Sequence, residues 1–177
     1  EGQVDTLAQI GVTETVTGTP IVSSLDVKPV GTMGNGTMVF VSCDALAADA
    51  VIVINRVKPH TAFRGEVESG LFKMMCIGLG KQKGAESLHS LGFSSFDKAI
   101  REAAKIITSR VPIVGGVGIV ENSRGEAAAI EVVPAEEIDE TEPKLLRKAQ
   151  TLLARIPFDE FDVLAVQQIG KDISGDG

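Results

Sequence analysis

The sequence predicts an α/β fold: a mixed or parallel sheet with flanking helices, followed by a hairpin, a helix and the start of a second α/β unit. A continuous apolar run at 50–54 is typical of a strand inside a sheet. An amphipathic helical stripe follows between residues 96 and 109. Strands that alternate with helices in this way are the pattern of α/β proteins.

The composition is that of a folded domain and not of a disordered chain. Of the 177 residues, 44% are hydrophobic and 23% are charged, which suffices for at least one core. A formal charge of −7 and the absence of Trp and Tyr argue against nucleic-acid binding and membrane-surface binding. The sequence has no apolar run of membrane-spanning length and no signal-peptide pattern. The two cysteines, Cys43 and Cys76, indicate a reducing compartment and not a disulfide framework. We therefore expect a cytoplasmic protein.

The first third of the chain is predicted to begin with a short helix and to continue mainly as strands. Residues 4–10 have helical spacing that Gly11 would end. Residues 44–48 are predicted as a helical turn, and the run at 50–54 as a strand covered on both faces. Between them lie three β-prone segments, at 20–23, 25–30 and 37–42.

The remainder of the chain alternates helices and strands. A helix is predicted over 66–77, closed by Gly78 and Gly80. A last helix begins at Asp139 or Thr141 and runs to residue 155, before a short buried strand at 163–166. The helix at 96–109 has an apolar stripe of Phe96, Ala99, Ile100, Ala103, Ala104 and Ile107. A strand at 111–120, a turn at 122–125 and a strand at 127–133 form a hairpin.

The candidate functional segment is 49–89. It contains both histidines of the chain, His60 and His89, and six basic residues in an otherwise acidic protein. The polar residues from Asn55 to His60 directly follow the strand predicted at 50–54, and ligands of open α/β sheets bind beyond the carboxyl ends of such strands. A basic, glycine-rich segment in that place predicts a site for an anionic ligand.

Four side chains in this segment have both a structural and a functional interpretation. His60 is either a structural histidine or a base near neutral pH, and His89 is either a solvated loop residue or functional. Lys73, between apolar residues, is either a snorkelling lysine or a nucleophile whose pKa is lowered by an apolar wall. Cys76 is predicted to be a buried hydrophobe, not a nucleophile.

The segment 78–84 fits no specific nucleotide-binding motif. It matches neither the Walker pattern nor GxGxxG, so we interpret it as a generic anion-binding loop that carries Lys81 and Lys83. The two cysteines and two histidines lack the CxxC and HxxxH spacings of zinc sites. An iron–sulfur cluster is disfavoured because clusters usually need four cysteines.

Together these residues resemble the nickel-dependent lactate racemase family, whose members use a nickel-pincer nucleotide. The matching segments are IGVTETVTGTPI, ADAVIVINRVKPH and SGLFK, and His89 follows Lys73 by sixteen residues. The family has a Gly-Thr-Pro segment, a strand ending in Pro-His, a Ser-Gly-x-x-Lys motif and a later histidine in this order. The resemblance covers about residues 9–90 and extends more weakly to Gln168 and Lys171, which keep a Gln-x-x-Lys spacing.

The resemblance implies a role for each matched residue. Lys73 is similar to the lysine that is joined covalently to the pincer nucleotide through a thioamide. His89 is similar to the nickel ligand, and His60 to a histidine that exchanges a proton with the substrate hydroxyl. Gln168 and Lys171 are similar to residues that hold the substrate carboxylate or the cofactor.

Three further basic residues complete the predicted site: Lys81 and Lys83 toward the cofactor, and Arg64 toward the substrate. The implied activity is that of an isomerase, which racemises or epimerises a 2-hydroxy acid or a related polyol acid by hydride transfer. Cofactor-synthesis proteins are expected partners, and a homo-oligomer is left open. The alternative is a non-catalytic anion- or nucleotide-binding α/β module without metal.

The chain departs from the family in two features. Lys73 follows His60 by thirteen residues, a longer spacing than expected for the lactate enzyme, and GLGKQKG replaces the usual loop. Both indicate a divergent branch. A second catalytic histidine and an arginine are expected upstream of Glu1, so the chain alone is expected to be an incomplete enzyme. Residues 1–110 are predicted to be the C-terminal part of the cofactor-bearing domain, and 111–177 the start of a second α/β domain.

Overall fold

The fold is α/β, with two small sheets and helices packed beside them. The computed structural model describes residues 2–94 and 96–167. In these residues β1 (Val27–Thr32) and β2 (Met38–Ser42) form an antiparallel pair. β3 (Val51–Arg56) pairs in parallel with β4 (Ile113–Glu121), and β4 pairs antiparallel with β5 (Ala127–Pro134). The predicted mixed sheet, with its hairpin, is therefore confirmed.

The helices lie between the strands and after them. None of those in the described residues is both long enough and apolar enough to cross a membrane. A π-helical turn, Met74–Gly78, extends the fourth helix, and a 3-10 turn, Ala135–Glu137, precedes the last. The α-helices are α1 (Gln3–Gln9), α2 (Glu14–Thr17), α3 (Cys43–Ala47), α4 (Leu71–Lys73), α5 (Lys81–His89), α6 (Phe96–Thr108) and α7 (Ile138–Leu152).

α6 is the centre of the main hydrophobic core. All six residues of its predicted apolar stripe are buried, and Ile100 and Ile107 are fully enclosed. The helix packs against α4, α5 and the β1–β2 pair. Burying one such aliphatic side chain contributes about 1.5–3 kcal/mol, so this face is a main source of the stability of the core.

α7 covers one face of the three-stranded sheet and forms a smaller core there. Leu145 and Leu146 pack with Val57 and Val120 from the sheet side. Gly118 of β4 makes this contact close, because a Cβ at that position would lie 2.6 Å from Leu145 Cδ1. A side chain on residue 118 would push the helix away from the strand.

The prediction that the strand at 50–54 is covered on both faces is wrong. Ile52 and Ile54 of β3 are 61% and 57% exposed, and Ile130 and Val132 of β5 are exposed as well. The helices of the described chain pack on the opposite face, where Val53 is buried. A continuous apolar run predicts a strand, but it does not determine how many faces the rest of the chain covers.

The helix predicted at 66–77 begins five residues later and does not stop at its glycines. Residues 66–70 form a loop, because Ser69 makes a two-bond bridge to Lys58. Beyond Gly78 and Gly80 the chain turns into α5, so the segment predicted as an anion loop is largely helical. Gly80 permits this continuation, since a Cβ there would lie 2.1 Å from the Cys76 carbonyl oxygen.

Three further boundaries differ from the predictions. Residues 20–23 form no strand, and Ile21 N donates to Glu14 Oε1 at 2.8 Å instead. α7 begins at Ile138 and ends at Leu152, and neither Asp139 nor Thr141 caps it, because Asp139 pairs with Arg101 at 2.6 Å. Residues 163–166 form no buried strand, since they are exposed and unpaired with any described strand.

The three-stranded sheet includes strands from both sides of the predicted domain boundary near residue 110. β3 precedes the boundary, β4 follows it, and the two are hydrogen-bonded along their length. The residues after 167, where the second unit was expected to continue, lie outside the described chain. The division into two domains stays a prediction.

Candidate functional site

A cavity of about 430 Å³ lies at the carboxyl end of β3. His60 and Lys73 both line it, although thirteen residues separate them in the sequence. Its volume is within the range of small-molecule sites. The polar residues from Asn55 to His60 were expected beyond the strand; Asn55 and Arg56 are instead the last two residues of β3, and they line the cavity together with Lys58 and His60. The cavity is lined by Asn55, Arg56, Lys58, Pro59, His60, Thr61, Ser69, Lys73, Met74, Ile77 and Gly78.

His60 is held by a buried carboxylate that the sequence analysis did not select. Glu68 is only 1% exposed, and its carboxylate accepts hydrogen bonds from His60 N at 2.5 Å and Gly65 N at 3.3 Å. The Ala62 N–H donates to His60 Nδ1 at 3.1 Å. Because Nδ1 accepts this bond, the neutral imidazole carries its proton on Nε2.

Lys73 is placed by a second buried carboxylate, from the other half of the chain. Glu142 of α7 is fully buried, and its Oε2 accepts a hydrogen bond from Phe72 N at 2.9 Å at the start of the helix that carries Lys73. Asn55 Nδ2 donates to Gly70 O at 3.0 Å and anchors the preceding residue. Gly70 lets the carboxylate approach, because a Cβ there would lie 2.3 Å from Glu142 Oε1.

The Glu142 carboxyl titrates near neutral pH. Burial raises its pKa to about 7, against the opposing effects of backbone N–H groups of Phe72 and Leu71 and of the Arg101 guanidinium. Its Oε1 atom has no hydrogen-bond partner within the described residues. An incompletely satisfied carboxyl therefore lies directly beneath the helix of Lys73.

His89 lies near His60 but not on the same cavity. It ends α5 and is exposed, and its ring stacks on Phe96 with centroids 5.4 Å apart. Phe93 lies between the histidines, with its ring centroid 6.2 Å from that of His60 and 6.1 Å from that of His89. The two histidines therefore share one aromatic cluster.

The other predicted site residues are not brought onto this cavity. Lys81 and Lys83 lie in the first turn of α5 and do not line the cavity. Arg64 folds back on its own loop, where its Nη1 donates to the carbonyl oxygens of His60 and Phe63. The two remaining predictions, Gln168 and Lys171, lie outside the described residues.

Within residues 2–94 and 96–167, no three or more His, Cys, Asp or Glu side chains are arranged to hold a metal ion. A metal held here would need ligands from a bound cofactor, and His89, the protein ligand that the resemblance implies, does not line the cavity.

Cys76 is predicted to resist alkylation in the native protein at pH 8, while Cys43 reacts. The Cys76 thiol is 2% exposed and donates to Ile100 O at 3.1 Å. Burial, and secondarily the nearby Glu142 carboxylate, raise its pKa far above the usual value, so the reactive thiolate does not form. Iodoacetamide labelling followed by peptide mapping checks this, with urea-unfolded protein as the control in which both cysteines react. Equal native labelling of the two would contradict the burial of Cys76.

A signal for Glu142 is present in the sequence. Ile138, Leu145, Leu146 and Ala149 are the buried residues of α7, and residue 142 falls on the same helical stripe. An acid on an apolar stripe indicates a specific buried partner. No comparable periodic signal marks Glu68, because its loop has no regular repeat.

The chain matches no model of a known protein family, and no curated protein matches it significantly. The resemblance to lactate racemases thus rests on the quoted segments alone and stays a prediction.

Proposed function

We propose that the chain carries the cofactor-bearing part of a lactate-racemase-like enzyme, which racemises or epimerises a 2-hydroxy acid or related polyol acid. The observation that supports this most directly is that His60 and Lys73 line one cavity beyond the end of a parallel strand. These are the two side chains to which the resemblance gives a proton-transfer role and a covalent-attachment role.

The residues present fit a lysine-tethered anionic nucleotide. Lys73 places a primary amine on the cavity wall, which is the group that a thioamide link requires. Arg56 and Lys58 line the same cavity and offer positive charge to phosphate or carboxylate groups. A nickel-pincer nucleotide, when bound, would supply the hydride acceptor and donor.

The chain's own residues would orient the substrate and move its proton. His60 Nε2 would face the substrate oxygen, with Glu68 holding the main chain of His60 in place. His89, which lies outside the cavity beside Phe93, would supply a neutral imidazole to nickel, a ligand that this metal accepts readily. Arg56, on the wall of this cavity, would bind the substrate carboxylate by charge.

The experiment that tests the proposal is intact-mass analysis and peptide mapping of the full-length protein, co-expressed with pincer-cofactor synthesis enzymes. A mass increase on the peptide that contains Lys73 is expected, together with bound nickel by metal analysis. Unmodified Lys73 in protein that has met mature cofactor would overturn the proposal.

His89→Ala is predicted to remove most of the bound nickel while leaving the Lys73 adduct intact. The residue is exposed at the end of α5, although its ring stacks on Phe96, so the fold should be retained with a small loss of stability. Nickel per chain and adduct mass are measured on the same sample. Ser90→Ala, at the neighbouring exposed position, serves as the control. Undiminished nickel in His89→Ala protein would indicate another ligand.

The alternative is a non-catalytic module that binds an anion or nucleotide without metal. The observation in its favour is the basic lining of the cavity by Arg56, Lys58 and Lys73, which needs no metal to hold an anion. This function predicts an unmodified Lys73 and ligand binding that survives His89→Ala. The mass experiment separates the two functions.

A further inference from the structure

A second cavity, of about 340 Å³, adjoins the His60–Lys73 cavity. It lies between the end of β3, the β4–β5 turn at 122–125 and the last turn of α7. The two cavities share the wall formed by Arg56, Lys58 and Pro59. The two cavities are therefore neighbours that meet at these three residues.

The second cavity carries an excess of positive charge in a chain whose formal charge is −7. Arg56, Lys58 and Arg124 line it, and the one acidic lining residue, Glu121, pairs with Arg56 at 3.0 Å. Neither Lys58 nor Arg124 forms a salt bridge within the described residues. The carboxyl end of α7 adds about half a negative charge, so the positive charge of Lys58 and Arg124 still exceeds it.

The backbone that carries these cations is held in place before any ligand binds. Lys58 exchanges two backbone hydrogen bonds with Ser69, at 2.9 and 3.2 Å. In the turn, Asn122 Oδ1 accepts from Arg124 N at 2.9 Å and from Glu126 N at 3.1 Å. Binding an anion here would mainly order side chains, not loops, which lowers its entropic cost.

We propose that this second cavity binds the far anionic group, a carboxylate or a phosphate, of a ligand whose near end lies in the His60–Lys73 cavity. The ligand is therefore doubly anionic. The identity of the near end rests on the proposed function. Under that function the substrate would be a hydroxy acid with a second acidic group. The recognition of the far group rests on Lys58 and Arg124.

The test uses the chain without cofactor and follows its amide NMR signals during titration with lactate, malate or inorganic phosphate. Malate is expected to bind about fivefold more tightly than lactate and to shift the signals of residues 122–125, because each added exposed charge contact contributes up to about 1 kcal/mol. R124Q should remove this advantage without changing lactate binding. R110Q, which replaces an exposed arginine outside both cavities, is the matched control and should behave as wild type.

The arms of the titration also identify the far group. Arg124-dependent binding of malate supports a carboxylate, and Arg124-dependent binding of phosphate supports a phosphoryl group. Equal affinity for all three probes would overturn the proposal. If R124Q changed the melting temperature but not ligand binding, that result would also overturn the proposal. The cations would then serve to stabilise the carboxyl end of α7 and not to bind a ligand. Neither result bears on the Lys73 adduct, so failure here is distinct from failure of the racemase function.

Discussion

Glu142→Gln is expected to make the protein more stable than wild type at pH 8 and to leave the two proteins similar at pH 5. Burial raises the pKa of Glu142 from an ordinary 4.5 to about 7 in the folded protein. The folded protein therefore holds this proton more tightly than the unfolded chain. The stability that Glu142 contributes is fully present below pH 4.5 and is lost as the pH rises through about 7.

The size of this effect follows from the shift. Each unit of pKa difference corresponds to 1.36 kcal/mol. The ionisation of Glu142 should therefore lower the free energy of unfolding by about 3 kcal/mol between a pH well below 4.5 and a pH well above 7. Glutamine cannot ionise, yet its amide oxygen can still accept the Phe72 N–H bond. The variant should therefore keep the contact and lose this part of the pH dependence.

Urea unfolding of both proteins at several values between pH 5 and pH 8 measures the difference directly. Groups that titrate alike in both proteins cancel in the comparison. Glu140→Gln, an exposed position on the same helix, is the control and should change little at any pH. A variant less stable than wild type at pH 8 would mean that the ionised carboxylate is a net stabilising cap for the helix of Lys73.

The sequence predicted the parts of the fold that depend on local periodicity. The stripe of α6 is buried as expected, since i, i+3 and i+4 spacing determines which side of a helix is apolar. The β4–β5 hairpin was found from a turn between two apolar runs. The exposed face of β3 was missed because its cover depends on where distant helices pack, which periodicity does not contain.

The candidate site was predictable to a similar extent. A position directly after a strand placed His60 at the cavity, whereas Lys73 was singled out mainly by the family resemblance. The contacts that hold these two residues were not predicted. Phe72 and Glu142 lie seventy residues apart, and the Glu68 bond to His60 N is made across an irregular loop. Arg64 was chosen for its charge, but its guanidinium is used by the loop itself.

His60→Gln is expected to slow racemisation by about 10²–10⁴-fold in the full-length, cofactor-loaded protein, while the Lys73 adduct and nickel remain. This prediction rests on the proposed function. Glutamine can accept the Ala62 N–H bond that now goes to His60 Nδ1, so the loop should keep its shape. Its amide cannot carry a proton to or from the substrate oxygen, so only the proton-transfer step is lost.

The Ala62 bond makes the prediction more specific. While Nδ1 accepts that bond, the neutral imidazole has its proton on Nε2 and, under the proposed function, would donate a hydrogen bond to the substrate oxygen. To accept the hydroxyl proton at Nε2, His60 must carry its proton on Nδ1, which requires the Ala62 bond to open. Ligand binding should therefore weaken this bond, and the Nδ1 chemical shift of labelled His60 should change when a hydroxy acid is added. Chiral chromatography of the product gives the rate, with Ser90→Ala as the control. A wild-type rate in His60→Gln protein would exclude His60 as the proton-transfer residue and assign that step to another side chain.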